Sequence, residues 1–125
     1  MKTVLVVEDT QDYADCLAHV LSQQGYKVVT AAEGMEGLQK AIAIKPDLIL
    51  MDLFMPDQDG ADVISRIRKQ PALANTVIVF LTALSSGTGA EGEGITVDGR
   101  EYPVISKMAD QKEILRKVGQ YIYSS

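Results

Sequence analysis

The chain has 125 residues, of which 46% are hydrophobic and 23% are charged, and its formal net charge is −5. This composition is typical of a folded globular protein, and the length predicts one domain, residues 1–125, without room for a separate output domain. The negative charge disfavours direct binding to nucleic acid or to a membrane surface, and no apolar run is long enough for a signal peptide or a bilayer-spanning helix, so we expect a cytoplasmic protein.

Strand and helix patterns alternate along the first third of the chain. Residues Thr3–Val7 form an unbroken and mostly β-branched run, which is typical of a strand buried on both faces of a parallel sheet. A helical pattern follows it, and residues 27–31 and 33–44 predict a second strand and a second helix. The inner face of this second helix is predicted to carry Met35, Leu38 and Ile42.

The same alternation continues through the middle of the chain. Residues 47–51 predict a third strand, a helix follows the loop at residues 56–60, and residues 76–81 predict a fourth strand. We therefore predict an α/β fold of the flavodoxin-like type, a doubly wound sheet of five parallel strands in the order 2-1-3-4-5.

The region after the fourth strand departs from this pattern. Residues 85–94 contain four glycines, and a helix here would cost about 1 kcal/mol for each of them relative to alanine. Residues 95–102 alternate between apolar and polar around Asp98-Gly99, which is a strong signal for a β-hairpin. We expect a Gly-rich loop and this hairpin to replace the fourth helix. A fifth strand and a last helix are predicted at residues 104–106 and 111–123.

Acidic side chains follow two strands that the predicted order makes neighbours. Glu8 and Asp9 come after the first strand, and Asp52 comes after the third. Asp52 alone could simply begin a turn, but three carboxylates at one sheet edge repel each other and need a proton or a cation. Ligands that are all oxygen atoms favour a hard ion, and we expect Mg²⁺.

Two further polar residues follow the fourth and fifth strands. The hydroxyl of Thr82, beside the small Ala83, is well placed to donate a hydrogen bond to an anion. Lys107 can pair with a phosphate group, although an ordinary surface lysine is the alternative. Together with the acidic residues they predict a site for Mg²⁺ and phosphate.

These residues, in this order, resemble the landmarks of the receiver domains of two-component response regulators. The matching residues are Glu8-Asp9, Asp52 in the pattern Asp-x-x-Met-Pro-x-x-Asp-Gly, Thr82-Ala83, and Lys107. The resemblance covers nearly the whole chain. Each motif is weak alone, and their combination is specific.

The resemblance implies a role for each site residue. Asp52 would accept a phosphoryl group, and Thr82 and Lys107 would contact the phosphoryl oxygens. Asp9 and the backbone carbonyl of Phe54 would contact Mg²⁺ directly. Glu8 would contribute to the metal site through a water molecule.

The resemblance also implies a function, that of a stand-alone receiver similar to the chemotaxis regulators. Such a protein takes its phosphoryl group from a histidine kinase or a histidine phosphotransfer protein and signals to a downstream protein partner. It is a switch that phosphorylates and dephosphorylates itself, not an enzyme with a turnover substrate.

Two alternatives to this function can be stated. A phosphatase of the haloacid-dehalogenase type also uses a strand-end aspartate with Mg²⁺, but it needs a second acid two residues later, where this chain has Phe54. A receiver-like docking module that phosphorylation does not regulate is the second alternative.

One family feature is displaced in this sequence. The aromatic residue that the family uses as a switch, three residues before the lysine, corresponds to Val104. Tyr102 lies two residues earlier, on the same predicted face of the strand, and is the candidate substitute.

Overall fold

The computed structural model describes residues 1–55, 58–83 and 94–123. The strands are β1 Thr3–Val7, β2 Lys27–Ala31, β3 Leu48–Asp52, β4 Phe54–Met55, β5 Gln58–Asp59, β6 Val77–Thr82, β7 Gly94–Val97 and β8 Arg100–Ser106. The helices are α1 Gln11–Gln23, α2 Gly34–Ile44, α3 Gly60–Arg68 and α4 Gln111–Ile122, with a short 3₁₀ helix at Pro71–Leu73. Within the described ranges, no helix combines the length and the hydropathy that a membrane crossing requires.

The main sheet has the order β2-β1-β3-β6-β8-β7. The first five of these strands are parallel to their neighbours, which confirms the predicted α/β fold and the order 2-1-3-4-5, and β7 adds an antiparallel sixth strand at the edge. β4 and β5 form a separate two-stranded antiparallel ribbon after β3.

The predicted hairpin is present, but it is not separate from the fifth parallel strand. The single strand β8 pairs with β7 through Arg100–Pro103 and with β6 through Val104–Ser106. Pro103 stands where β8 passes from one partner to the other, a position where the missing N–H of proline disturbs neither ladder much. One continuous strand therefore replaces the two elements that we predicted.

Both faces of the sheet are covered, as the continuous apolar strands require. One core cluster joins the sheet to α2, α3 and the hairpin, and the other joins it to α1 and α4. All five residues of β3 are buried. The end of β3 is thus held between two packed layers, which fixes the position of its last residue, Asp52.

The predicted inner face of α2 is wrong for two of its three residues. Met35 and Ile42 are 40% and 44% exposed, whereas Leu38 packs against the core. The buried residues of α2 are Gly34, Gly37 and Ala41. A side chain at Gly37 would lie 2.6 Å from a methyl carbon of Val7, so the helix uses its smallest residues to approach β1 closely.

Polar contacts fix the hairpin to α3. Asp98 and Gly99 have φ angles of 53° and 80°, which the two-residue turn of a hairpin requires. Ser65 Oγ donates a hydrogen bond to Asp98 Oδ2 at 2.5 Å, and Arg68 Nε donates one to the hydroxyl of Tyr102 at 3.0 Å. The prediction that residues 85–94 form no regular helix lies outside the described residues, apart from Gly94, which begins β7.

Tyr102 is a core residue in this fold. It is 3% exposed and packs edge-on against the ring of Phe80, with 5.8 Å between the ring centroids. Val104 contacts the same core cluster, which confirms that the two side chains share one face of the strand. The hydroxyl of Tyr102 accepts a hydrogen bond from Arg68, and this bond joins β8 to α3 two residues before Val104, the position that corresponds to the switch aromatic.

The turn that follows Asp52 requires a glycine at Gly60. Gly60 N donates a hydrogen bond to Leu53 O at 3.1 Å, and a Cβ atom at Gly60 would lie 2.5 Å from the backbone oxygen of Asp52. Asp59 caps α3 directly before it by accepting a hydrogen bond from Ala61 N. The backbone of Asp52 and the start of α3 are thus in close contact.

We expect Gly60→Ala to lower the free energy of unfolding by about 2 kcal/mol, because rigid backbone atoms must move apart to accept the methyl group. The matched control is Gly119→Ala in α4, where the nearest atom would be the hydroxyl oxygen of Tyr26 at 3.8 Å. This change should raise the free energy of unfolding by about 0.5 kcal/mol, since alanine restricts the unfolded chain. Urea unfolding measures the free energy of unfolding of both variants, and the same change in the two would disprove the close contact at Gly60.

Candidate functional site

Four strand ends lie side by side at one edge of the sheet. Asp52 and Thr82 are the last residues of β3 and β6, and Glu8 and Lys107 directly follow β1 and β8. β3 and β6 each end one residue later than predicted, so Asp52 and Thr82 belong to the strands themselves. Lys107 N donates a hydrogen bond to Thr82 O at 2.8 Å, which ties the two predicted phosphate-binding residues together.

Three carboxylates meet at this edge, as the sequence predicted. One carboxylate oxygen from each of Glu8, Asp9 and Asp52 lies within 4.8 Å of the others. Glu8 and Asp52 are buried, and Asp9 is exposed. A group of oxygen ligands of this kind fits Mg²⁺, which binds one or two carboxylates and keeps several of its own waters.

The ammonium group of Lys107 lies against the acidic cluster. Its Nζ atom is 2.6 Å from Glu8 Oε2 and 3.3 Å from Asp52 Oδ2, and the side chain is 17% exposed. Lys107 is therefore not an ordinary surface lysine. Its positive charge offsets part of the repulsion between the carboxylates.

The crowding of charges shifts the acid–base equilibrium of the site. Burial, the negative charge of Glu8 and a hydrogen bond with Asp9 raise the pKa of Asp52 to about 7, against the opposing effect of Lys107. Burial acts to lower the pKa of Lys107, but its contacts with Glu8 and Asp52 outweigh burial, and the pKa is raised. The cluster thus favours a bound proton or cation at neutral pH.

Tyr13, near the start of α1, is a site neighbour that the sequence analysis did not identify. Lys107 Nζ lies 5.2 Å from the centroid of its ring. The Tyr13 hydroxyl is buried and makes no hydrogen bond with the described residues. Burial, followed by the charges of Glu8, Cys16 and Asp52, raises the pKa of Tyr13 to about 12. The sequence feature that could have identified Tyr13 is its aromatic side chain four residues after Asp9.

The remaining predicted site residues lie beside the cluster. Thr82 is 6% exposed and follows directly after Leu81, the residue that pairs with Asp52. Phe54 is two residues beyond Asp52 and belongs to β4, where its backbone pairs with Asp59. The structure therefore brings the side chains of Glu8, Asp9, Asp52 and Lys107 together. Thr82 ends the strand that pairs with β3, and Phe54 follows Asp52 by two residues.

The sequence matches one protein family over most of its length, because residues 4–119 fit the family described as "Response regulator receiver domain". Among solved structures, the fold is similar to the chemotaxis protein CheY4 of Vibrio cholerae, with 29% identity, a TM-score of 0.82, and 97% of this chain and 98% of that chain aligned. It is also similar to the response regulator protein TrrA of Thermotoga maritima in complex with Mg(2+)-BeF, with 30% identity, a TM-score of 0.78, and 97% and 99% aligned.

The curated relatives are longer than this chain. The response regulator ArlR of Staphylococcus aureus is 34% identical over 118 residues, which are 94% of this chain and 51% of ArlR. The chain thus spans about half the length of this relative.

Proposed function

Because this chain belongs to the family of response regulator receiver domains, we propose that Asp52 accepts a phosphoryl group in a two-component phosphorelay. The observation that carries this proposal is the convergence of Asp52 with Glu8, Asp9 and Lys107 at the ends of neighbouring strands. Ligands of open α/β sheets bind at this edge of the sheet, outside the carboxyl ends of the strands.

Mg²⁺ fits the acidic part of this site. Glu8, Asp9, Asp52 and the backbone carbonyl of Phe54 are the residues that would hold it. The raised pKa of Asp52 supports this assignment, since a bound cation would offset the burial and the repulsion from Glu8 that favour the protonated carboxyl. When bound, Mg²⁺ supplies positive charge that neutralises the oxygens of the transferring phosphoryl group.

The chain's own residues then have distinct tasks in the transfer. The Asp52 carboxylate attacks phosphorus, the bond between phosphorus and the donor breaks, and the donor leaves with the electron pair. Lys107 favours the ionised form of Asp52 and presents its charge to the phosphoryl oxygens. The Thr82 hydroxyl would donate a hydrogen bond to one of these oxygens. A switch of this kind has no turnover substrate.

The test is the intact mass of the protein after incubation with Mg²⁺ and acetyl phosphate. We expect one added phosphoryl group on the wild type, none on Asp52→Asn, and none on the wild type when a chelator removes Mg²⁺. A phosphoryl group on both proteins would mean that another residue is the acceptor. No addition from acetyl phosphate or from a phosphorylated histidine phosphotransfer protein would favour the docking module that phosphorylation does not regulate.

We further propose that the protein acts in the cytoplasm as a stand-alone receiver and signals through noncovalent protein partners, without contacting nucleic acid itself. A histidine kinase or a histidine phosphotransfer protein would be its donor. CheY4 and TrrA are about as long as this chain and ArlR is about twice as long, so the size of the native protein is the test, and the net charge of −5 disfavours contact with nucleic acid. An immunoblot of native extract would show a band near 13.6 kDa, and a band of about twice that mass would contradict the stand-alone form.

A further inference from the structure

The ammonium group of Lys107 has neighbours of two different kinds. Two are the carboxylates of Glu8 and Asp52, at 2.6 and 3.3 Å. The third is the ring of Tyr13, whose centroid is 5.2 Å from Nζ. Glu8 and Asp52 are also proposed ligands of Mg²⁺, so the carboxylates that hold the metal are the ones that hold the ammonium. The Tyr13 ring carries no formal charge and is not a ligand for Mg²⁺.

We propose that Tyr13 is a positioning residue whose ring keeps the Lys107 ammonium at the site while Mg²⁺ is bound to the carboxylates. The effect of this positioning on phosphoryl transfer rests on the function proposed above. The contact with the ring itself does not depend on that function.

The physical reason is that the ring attracts the cation without competing for the metal. An ammonium over the face of an aromatic ring is held by the ring quadrupole, more strongly when the pair is partly removed from water. A lysine side chain has four rotatable bonds, so without a neighbour it would lose its position once the carboxylates are shared with another cation.

Tyr13 is itself well placed to act as a fixed support. It belongs to α1, and its side chain packs against the core cluster that joins the sheet to α1 and α4. Its hydroxyl oxygen is buried as well. A ring anchored in this way can hold the ammonium in place at little further cost in side-chain entropy.

The contact can be measured directly by NMR, without any phosphorylation. Protons next to the Lys107 ammonium that lie over an aromatic ring should show an upfield ring-current shift. We expect this shift in the wild type and in Tyr13→Phe, both with and without Mg²⁺, and its loss in Tyr13→Leu. Disappearance of the shift in the wild type when Mg²⁺ is added would overturn the proposal, whether or not Asp52 accepts phosphate.

The consequence for phosphorylation is measured with acetyl phosphate as the donor. Tyr13→Leu should lower the rate constant roughly 5-fold, and Tyr13→Phe, which keeps the ring, should restore it to within about 2-fold of the wild type. The matched control is Tyr26→Leu, because Tyr26 packs against the same core cluster but directly precedes β2, at the opposite edge of the sheet from Lys107, which directly follows β8. It should leave the rate unchanged.

A double-mutant cycle separates positioning from a general effect on the fold. In a Lys107→Met background, the further change Tyr13→Leu should have no additional effect on the rate constant, since the ring then has no ammonium to hold. A loss of the same size in both backgrounds would show that Tyr13 acts on the fold and not through Lys107. If the wild type is not phosphorylated at all, the proposed function fails, and the NMR experiment alone decides on Tyr13.

Discussion

Lys107→Met is expected to lower the free energy of unfolding by about 3 kcal/mol at neutral pH without divalent cations. Glu8 is 1% exposed, and the ammonium of Lys107 lies 2.6 Å from its Oε2 atom. Removing the ammonium leaves a buried carboxylate next to Asp52, with no compensating charge from the lysine. Such a loss costs more than the ion pair itself contributes, because a charge that cannot be hydrated remains. Urea unfolding in the presence of a chelator measures it.

The same measurement with Mg²⁺ tests the cause. We expect saturating Mg²⁺ to recover most of the lost stability in Lys107→Met, because the cation then compensates the carboxylates. The matched control is Arg66→Met, which breaks an ion pair with Asp62 whose side chains are 53% and 54% exposed. This change should alter the free energy of unfolding by less than about 0.5 kcal/mol. Losses of the same size in the two variants would rule out a buried charge cluster as the cause.

Asp52→Asn is expected to be more stable than the wild type by about 3 kcal/mol near pH 8 without divalent cations. Asp52 is buried, and its pKa is raised to about 7 in the folded protein. In the unfolded chain an aspartate loses its proton at about pH 4. Between these two values the folded wild type binds the additional proton, so its stability falls as the pH rises through this window. Asparagine resembles the neutral carboxyl and does not pay this cost.

The test is how the difference in the free energy of unfolding between Asp52→Asn and the wild type varies with pH. The stability advantage of Asp52→Asn should shrink below about 1 kcal/mol near pH 4.5 and reach its full size above about pH 7. Mg²⁺ should remove most of it, since a bound cation favours the ionised wild-type side chain. As a control, Asp62→Asn on the exposed face of α3 should show a change below about 0.5 kcal/mol at every pH. A difference that does not vary with pH would refute the raised pKa of Asp52.

Lys107→Met removes a positive charge from the cluster, whereas Asp52→Asn removes a negative charge. Without a metal, Lys107 supplies positive charge to the cluster, but burial and the charge of Glu8 still raise the pKa of Asp52. A site in this condition has a strong driving force to take up a cation. The expected effects of Mg²⁺ on both variants follow from this one property.

Two predictions from the sequence were wrong because hydrophobic periodicity does not measure the property that decides them. The apolar residues of α2 suggested an inner face with Met35 and Ile42, but the close approach of Gly37 to Val7 turns the small residues inward. Periodicity measures only hydrophobicity, whereas the distance between helix and sheet depends on side-chain volume. The continuity of β8 through Pro103 was missed because a proline interrupts a strand only where its N–H would be needed for a hydrogen bond.

The sequence alone predicts the alternation of strands and helices and the positions of Glu8, Asp9, Asp52, Thr82 and Lys107 at the strand ends. It could do so because hydrophobic runs and their polar ends are local features, and parallel strands bring their carboxyl ends to one edge. Packing in three dimensions brings Lys107 closer to Glu8 than to Asp52 and places Tyr13 beside it. These contacts join residues far apart in the chain, and their distances depend on how α1 and β8 pack against the sheet.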